Sequence, residues 1–207
     1  SIEDERFYEH DGIDFKGILR ALWTDIRNGS TSQGASTLTQ QLIKNNVFEA
    51  GGETNIIAKV KRKIQEQYLA IIAEKKYNKE DILTNYLNTI NLGKGNLGVE
   101  AASKYYFGKS VNELTLSECA VLAGITKNPT FLNPVDYPED NDARRKLILK
   151  KMYQLNYISD TEYQSALEDK VYARIANKTA QGRKNSVYSY FTDAVITKVV
   201  SDLQEQK

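Results

Sequence analysis

The residues able to do chemistry gather at the front of this sequence. The run Glu3-Asp4-Glu5-Arg6-Phe7-Tyr8-Glu9-His10-Asp11-Gly12 mixes carboxylates with aromatic rings and a histidine. Carboxylates in such a setting suit general acid–base work, in which a side chain takes or gives the proton of a reacting hydroxyl. A solvated acidic helix end has a similar composition, but it has no use for the interleaved rings. His10 is the sole histidine and Cys119 the sole cysteine. A histidine-rich zinc site and an intramolecular disulfide are therefore excluded, and no nucleophile-elbow motif accompanies His10 to make a serine triad. Cys119 borders the apolar run Ala120 to Ile125 and is expected to be a buried, inert thiol. Catalysis then falls to carboxylates.

Two helix faces carry the next candidates. Thr37, Gln41 and Lys44 stand at i, i+4 and i+7, with Leu38 and Leu42 on another face. A hydroxyl, an amide and an ammonium rising from a helix N-terminus suit sugar and phosphate oxygens, although a plain exposed face would look the same. At about 100° per residue, Lys59, Arg62 and Glu66 fall together, opposite the apolar stripe Ile57, Val60, Ile64 and Tyr68. The bland alternative is an i,i+4 ion pair on a wet face. Against it, the cation precedes the acid, which is the less favourable order. Ala70 and Ala73 also continue this face into an apolar end, where a carboxylate needs a partner or a job.

The elements that must hold these groups are helices. Among 207 residues, 41% are hydrophobic and 27% charged, as in ordinary globular domains. Lys and Arg total 28 against 27 for Asp and Glu, so the charge gives no reason to propose a nucleic-acid partner. Pro129, Pro134 and Pro138 are the only prolines, and the long proline-free flanks favour helix. There is no internal repeat and no βαβ alternation, so an all-α or nearly all-α fold is expected. Asp14 caps a helix over Phe15 to about Asn28, with an apolar stripe at Phe15, Ile18, Leu19, Leu22 and Ile26 and Gly29 past its end. After a polar loop from Ser30 to Ala35, Thr37 and Gln40 make a capping box for a helix reaching about Val47. Residues 49–55 form a glycine-bearing excursion. The helix from about Ile56 to Lys75 is the longest in this half. Its Tyr68 to Ala73 end is apolar on every side and is expected to thread the centre of the fold.

Further helices are expected from Lys79 to about Asn88 and up to Phe107 before Gly108. Others run from the Thr115/Glu118 box to Ile125, from about Asp142 to Leu155, and from the Ser159/Glu162 pair. Residues 176–185 read as a linker or surface loop, and about 187–204 as a last amphipathic helix. No segment is apolar for long enough to span a bilayer. The abrupt opening on Ser1-Ile2-Glu3-Asp4, without a leader, is what a piece of a longer chain would show.

Several segments now add up. The first run above is followed by Gly34-Ala35-Ser36-Thr37-Leu38-Thr39-Gln40-Gln41-Leu42-Ile43-Lys44-Asn45 and Arg62-Lys63-Ile64-Gln65-Glu66. Then come Ile82-Leu83-Thr84-Asn85-Tyr86-Leu87-Asn88 and Lys127-Asn128-Pro129 through Asn133-Pro134. In this order they resemble the motif set of the family-51 glycosyltransferases, the peptidoglycan polymerase domains of class A penicillin-binding proteins and monofunctional transglycosylases. The likeness covers roughly residues 1–155. Ala35 stands where many relatives carry a second glycine, and the family's upstream helix and membrane segment do not occur in this sequence.

The resemblance implies a mainly α, lysozyme-like lobe with a smaller, mobile, membrane-facing jaw at roughly 46–60, around Gly51-Gly52. The catalytic domain would span 1–175, and the loop and helix of 176–207 would lead towards a transpeptidase domain. The implied reaction joins the 4-hydroxyl of the GlcNAc of lipid II to the anomeric carbon of a growing chain, with inversion and release of undecaprenyl pyrophosphate. In that scheme Glu3 is the base. Glu66 is a second essential acid, acting at the pyrophosphate through Mg²⁺ or Mn²⁺ or by orienting cations. Lys44, Arg62 and Lys63 serve the phosphates, while Asp4, Phe7, His10, Ser36, Thr37, Gln41 and Asn45 bind or shape the substrate. The two carboxylates would sit apart, leaving room for the acceptor. Implied partners are lipid II, the glycan chain, the bacterial membrane at the outer face of the cytoplasmic membrane, and moenomycin-type inhibitors. A lysozyme-like hydrolase or lytic transglycosylase is the rival; it needs no cation cluster for a pyrophosphate. A non-catalytic scaffold would have no need of Glu3 and Glu66.

Overall fold

Side chains that cap helices set most of the element boundaries. The computed structural model describes residues 2–28, 35–48 and 55–175. Gly29, the loop to Gly34, the Gly51-Gly52 excursion and everything expected of 176–207 lie outside them. The Asp14 carboxylate accepts the Gly17 N–H at 2.9 Å and opens α1 (Phe15–Asn28). Thr37, Asn55 and Asn78 cap α2 (Leu38–Val47), α3 (Ile56–Lys76) and α4 (Lys79–Thr89), each satisfying an orphan N–H of the first turn. The next helix, α5 (Val99–Phe107), ends at Gly108, which takes the left-handed conformation expected of it. A 3-10 turn over Val111–Glu113 follows, closed by a Ser110/Glu113 box that the sequence pattern did not reveal.

Both expected boxes, Thr115/Glu118 and Ser159/Glu162, are reciprocal; they open α6 (Leu116–Ile125) and α8 (Asp160–Glu168). The Thr37/Gln40 box is only half made. Thr37 Oγ1 accepts the Gln40 N–H, but the Gln40 amide turns away to the carbonyl of Gly12. Between them, α7 (Pro138–Gln154) starts earlier than the expected Asp142. Pro138 occupies the first turn, where its fixed φ is already helical and its missing N–H costs nothing.

The central helix is α6, not α3. Largely apolar, α6 is packed on most of its surface, with Ser117, Glu118, Ala120, Val121, Leu122, Gly124 and Ile125 buried. Val121, Leu122 and Ile125 meet Tyr86, Ile90, Leu92, Tyr106 and Phe107 from α4, α5 and the loop between them, with Val171 and Ile175 closing that cluster. On its other side Ala120 packs with Ile148 and Leu149 of α7 and Ala166 of α8. Cys119 points outward and is exposed, contrary to the burial expected for it. Apart from one isolated antiparallel bridge between Asn91 and Leu97, the regular structure of the described residues is helical, and the fold is mainly α as expected.

Helix α3 packs with its polarity reversed. Its stripe of Ile57, Val60, Ile64 and Tyr68 faces outward, with Tyr68 64% exposed, while Glu66 and Ala70 are its buried residues. The expected threading of its Tyr68–Ala73 end through the core does not occur. Helix α1 repeats the arrangement: Phe15, Leu19 and Trp23, one turn apart, are all about 70% exposed. In both helices periodicity found the amphipathic stripe, but the polar face of α3 has the protein partners.

Candidate active site

The loop before α1 is built from inward-turned side chains that leave Glu3 at a cleft. Asp4 is buried, and its carboxylate accepts the Leu38 N–H at 3.0 Å and the His10 Nε2–H at 2.9 Å. It therefore ties the loop to the N-terminus of α2, where a negative charge is favoured. Phe7 is buried edge-on to His10, with the Lys79 ammonium 4.5 Å above its ring. Lys79 also donates to the His10 carbonyl at 2.5 Å and to Glu74 at 2.6 Å. Gly12 closes the loop at φ +88°, and a Cβ there would lie 2.6 Å from the Ala70 backbone of α3, so only glycine fits. Its carbonyl accepts from Thr37 Oγ1 at 2.8 Å and from Gln40 Nε2 at 3.2 Å.

The opposite wall comes from α2 and α3. Glu66 is 2% exposed, and both of its oxygens are engaged: Oε1 by Arg62, in a short contact, and Oε2 by Lys63 at 3.1 Å. Lys63 also donates to Ser36 Oγ at 2.8 Å and to Gln40 Oε1 at 3.0 Å. The buried carboxylate that needed a partner therefore has two cations, and the face shared by Arg62 and Glu66 is a packed face rather than a wet one. Gln41 accepts a hydrogen bond from the Tyr86 hydroxyl at 3.2 Å. Burial, and then the charge of Glu3, pushes the Tyr86 phenol above its ordinary range, so Tyr86 stays a donor.

These walls enclose a cleft of about 2010 Å³. The sequence-derived candidates Glu3, Asp4, Ser36, Thr37, Gln41, Lys44, Asn45, Arg62, Lys63 and Glu66 all line it, together with Lys59. Phe7 and His10 stand behind the wall: His10 bonds to Asp4, and Phe7 packs edge-on against His10. Two contributors were not found from sequence. Tyr86 lies within a quoted motif, yet nothing in its spacing singles it out. Arg144 of α7 lines the cleft and donates from Nη2 to Glu3 Oε1 at 2.9 Å. Its only sequence signal is the Arg144-Arg145 pair, which does not say which arginine faces the cleft.

The arrangement presents two part-exposed carboxylates, Glu3 on Arg144 and Glu5 on Lys151, in a cleft also lined by Lys44, Lys59, Arg62 and Lys63, the last two paired with the buried Glu66. It can take a proton from a hydroxyl at one place and stabilise an anionic leaving group at another. Among the described residues no three His, Cys, Asp or Glu side chains converge as a metal site.

Comparison with known proteins shows the family. The family description Transglycosylase matches residues 1–153. The chain is 44% identical to penicillin-binding protein 1A of Clostridium acetobutylicum over 215 residues, covering all of this chain and 26% of that protein. It is 47% identical to penicillin-binding protein 1A of Haemophilus influenzae over 171 residues, covering 83% of this chain and 19% of that protein. A crystal structure of the Haemophilus influenzae protein aligns with a TM-score of 0.44 at 47% identity, covering 45% of this chain and 14% of that one. The chain thus spans about a quarter or less of the length of these relatives. With a family match over most of its length and relatives 44% and 47% identical, the chain belongs to the transglycosylase family.

Proposed function

We propose that this domain is a peptidoglycan glycosyltransferase that polymerises lipid II into β-1,4-linked glycan strands. The observation that carries the proposal is the pairing, in one cleft, of Glu3 with a wall of Lys44, Arg62 and Lys63. Glu3 accepts the proton of the GlcNAc 4-hydroxyl as its oxygen bonds to the anomeric carbon of the growing chain. The bond from that carbon to the pyrophosphate breaks on the opposite face. The α-linkage becomes β, and undecaprenyl pyrophosphate leaves with both electrons of the broken bond. Its charge is met by ammonium and guanidinium groups rather than by a donated proton. Glu66 holds Arg62 and Lys63 in register for that charge. Phosphoglycolipid inhibitors of the moenomycin type would occupy the same cationic wall.

Among the described residues no three His, Cys, Asp or Glu side chains gather at one point, so a divalent cation near Glu66 would also need oxygens of the pyrophosphate. Mg²⁺ or Mn²⁺ belongs in this scheme as a companion of the pyrophosphate, and no step runs through it. No helix of the described residues is long and apolar enough to cross a membrane. The outward apolar faces of α1 and α3 instead suit a domain lying against the outer face of the cytoplasmic membrane, where a lipid-linked substrate resides.

The rival hydrolase needs a carboxyl kept neutral in an apolar pocket. Glu3 faces a guanidinium, and the cations opposite have no role in protonating a sugar leaving group. The test is labelled lipid II. Polymer and free undecaprenyl pyrophosphate are expected, with Glu3→Gln lowering turnover by about 10²-fold or more. Muropeptides released from purified sacculi, without polymer from lipid II, would replace this proposal with the hydrolase.

A further inference from the structure

We infer that Arg144 is a positioning residue for Glu3; the inference rests on the glycosyltransferase reading above. Two adjacent arginines of α7 have different fates. Arg145 is 3% exposed and spends its donors on the protein, on Ser117 Oγ at 2.9 Å, the Ala166 carbonyl at 2.5 Å and Asp142 at 2.8 Å. It is a staple between α6, α7 and α8. Arg144, about 100° further round the helix, reaches the other way. Its stem lies along α6 at Gly124, where an added Cβ would stand 3.5 Å from Arg144 Cγ. Its guanidinium then emerges into the cleft.

There, among the described residues, it makes one bond, from Nη2 to Glu3 Oε1 at 2.9 Å, with side chains only 15% and 21% exposed. Its Nε is buried without a hydrogen-bond partner. A donor left unmade in a low-dielectric place is costly, so a guanidinium set here for stability alone would be expected to find an acceptor. Glu3 sits near the start of its loop, and the bonds that fix that loop run through Asp4, His10 and Gly12 rather than through Glu3. Arg144 is the described partner of the Glu3 carboxylate. It fixes one oxygen and leaves Oε2 without a hydrogen bond among the described residues, open to an acceptor hydroxyl. When that proton arrives, Glu3 loses its charge, and the guanidinium beside it is freed to face the oxygens of the bound sugar. A base misplaced by about 1 Å can lose about 10²-fold in rate, and this is the scale of what the pairing protects.

The test is a double-substitution cycle in lipid II polymerisation with the whole chain. Arg144→Met is expected to lower kcat about 10- to 100-fold with KM within about twofold, and Arg144→Lys to recover part of the loss. In a Glu3→Gln background, Arg144→Met should cost less than about twofold, because there is no longer a base to position. Losses that multiply in the double variant would overturn the inference, since an arginine serving only the fold acts whether or not Glu3 is a base. A change in KM alone would overturn it too. Wild-type protein that makes no polymer would overturn the glycosyltransferase reading and this inference with it. Normal wild-type turnover with multiplying losses would overturn the role of Arg144 alone.

Discussion

Replacing Glu66 with glutamine separates the structural from the chemical part of the cationic wall. Glutamine keeps the volume and can still accept a hydrogen bond, so no cavity opens and the effect is that of a removed charge. Stripping one partner from a fully buried ion pair costs about 3–5 kcal/mol. Here the partners are not fully buried: Arg62 is 22% and Lys63 40% exposed, against 2% for Glu66. Water can take over Lys63, whose share drops to that of a surface pair, below about 1 kcal/mol. Arg62, more enclosed, keeps the larger share, and a total of about 2 kcal/mol is expected. In a domain of this size that is about 4–8 °C in Tm.

The kinetic signature should be separate. With Glu66 neutral, the wall is more positive, so lipid II should bind at least as well, while cations no longer held in register stabilise the departing pyrophosphate less. Glu66→Gln should lower kcat by about 10²-fold without raising KM. Calorimetry and initial rates with labelled lipid II read the two numbers. An unchanged Tm together with a normal kcat would refute the reasoning. A raised KM at normal kcat would move Glu66 from the transition state to ground-state binding.

Other expectations follow from the same geometry. Arg62→Ala should lower kcat more than it raises KM; a rise in KM alone would reassign Arg62 to ground-state binding of the lipid. Trp23→Asp with Ile57→Asp, on the outward faces of α1 and α3, should reduce co-sedimentation with liposomes, and unchanged binding would remove the membrane-facing assignment. Burial pulls the Glu118 carboxyl upward, but Lys109 at 2.6 Å, the Thr115 N–H at 2.8 Å and Arg174 at 3.1 Å outweigh it and hold the group below its ordinary 4.5. A lowered folded value means stability that is complete above pH 4.5 and lost as pH falls through the folded value. Glu118→Gln should therefore flatten the acid side of the stability profile below pH 4.5. An unchanged slope in urea titrations across that range would contradict the assignment.

What could be read from the sequence was mostly local. Caps at Asp14, Thr115 and Ser159 fixed helix starts because a side chain and an N–H two or three residues away settle the matter together. Pro138 misled because proline marks both a break and a first turn, and only the packing of α7 on α6 distinguishes them. The reversal of α3 was hidden for a different reason. Periodicity finds an apolar stripe but not the medium it faces, and the presumption that stripes face the core failed here. In the site, Glu66 was legible because a charge on a face running into alanines demands a partner. Arg144 was not, since it meets Glu3 across 141 residues of chain and no local rule links them.

The reversal of α3 bears on the heat capacity of this domain. Unfolding raises heat capacity in proportion to the apolar surface that it newly wets, typically about 12–15 cal/mol/K per residue. Ile56, Ile57, Val60, Ile64 and Tyr68 of α3, with Phe15, Leu19 and Trp23 of α1, are already largely wet in the native state. They add little to the change, and little to the denaturant m-value that scales with the same surface. The increment per residue should therefore fall below the usual range, and the stability curve should be correspondingly shallow, set mainly by the clusters around α6. In water, α1 and the outer side of α3 carry residues that lower the free energy of folding only slightly. A nonpolar medium that wets those faces adds to native stability what water withholds.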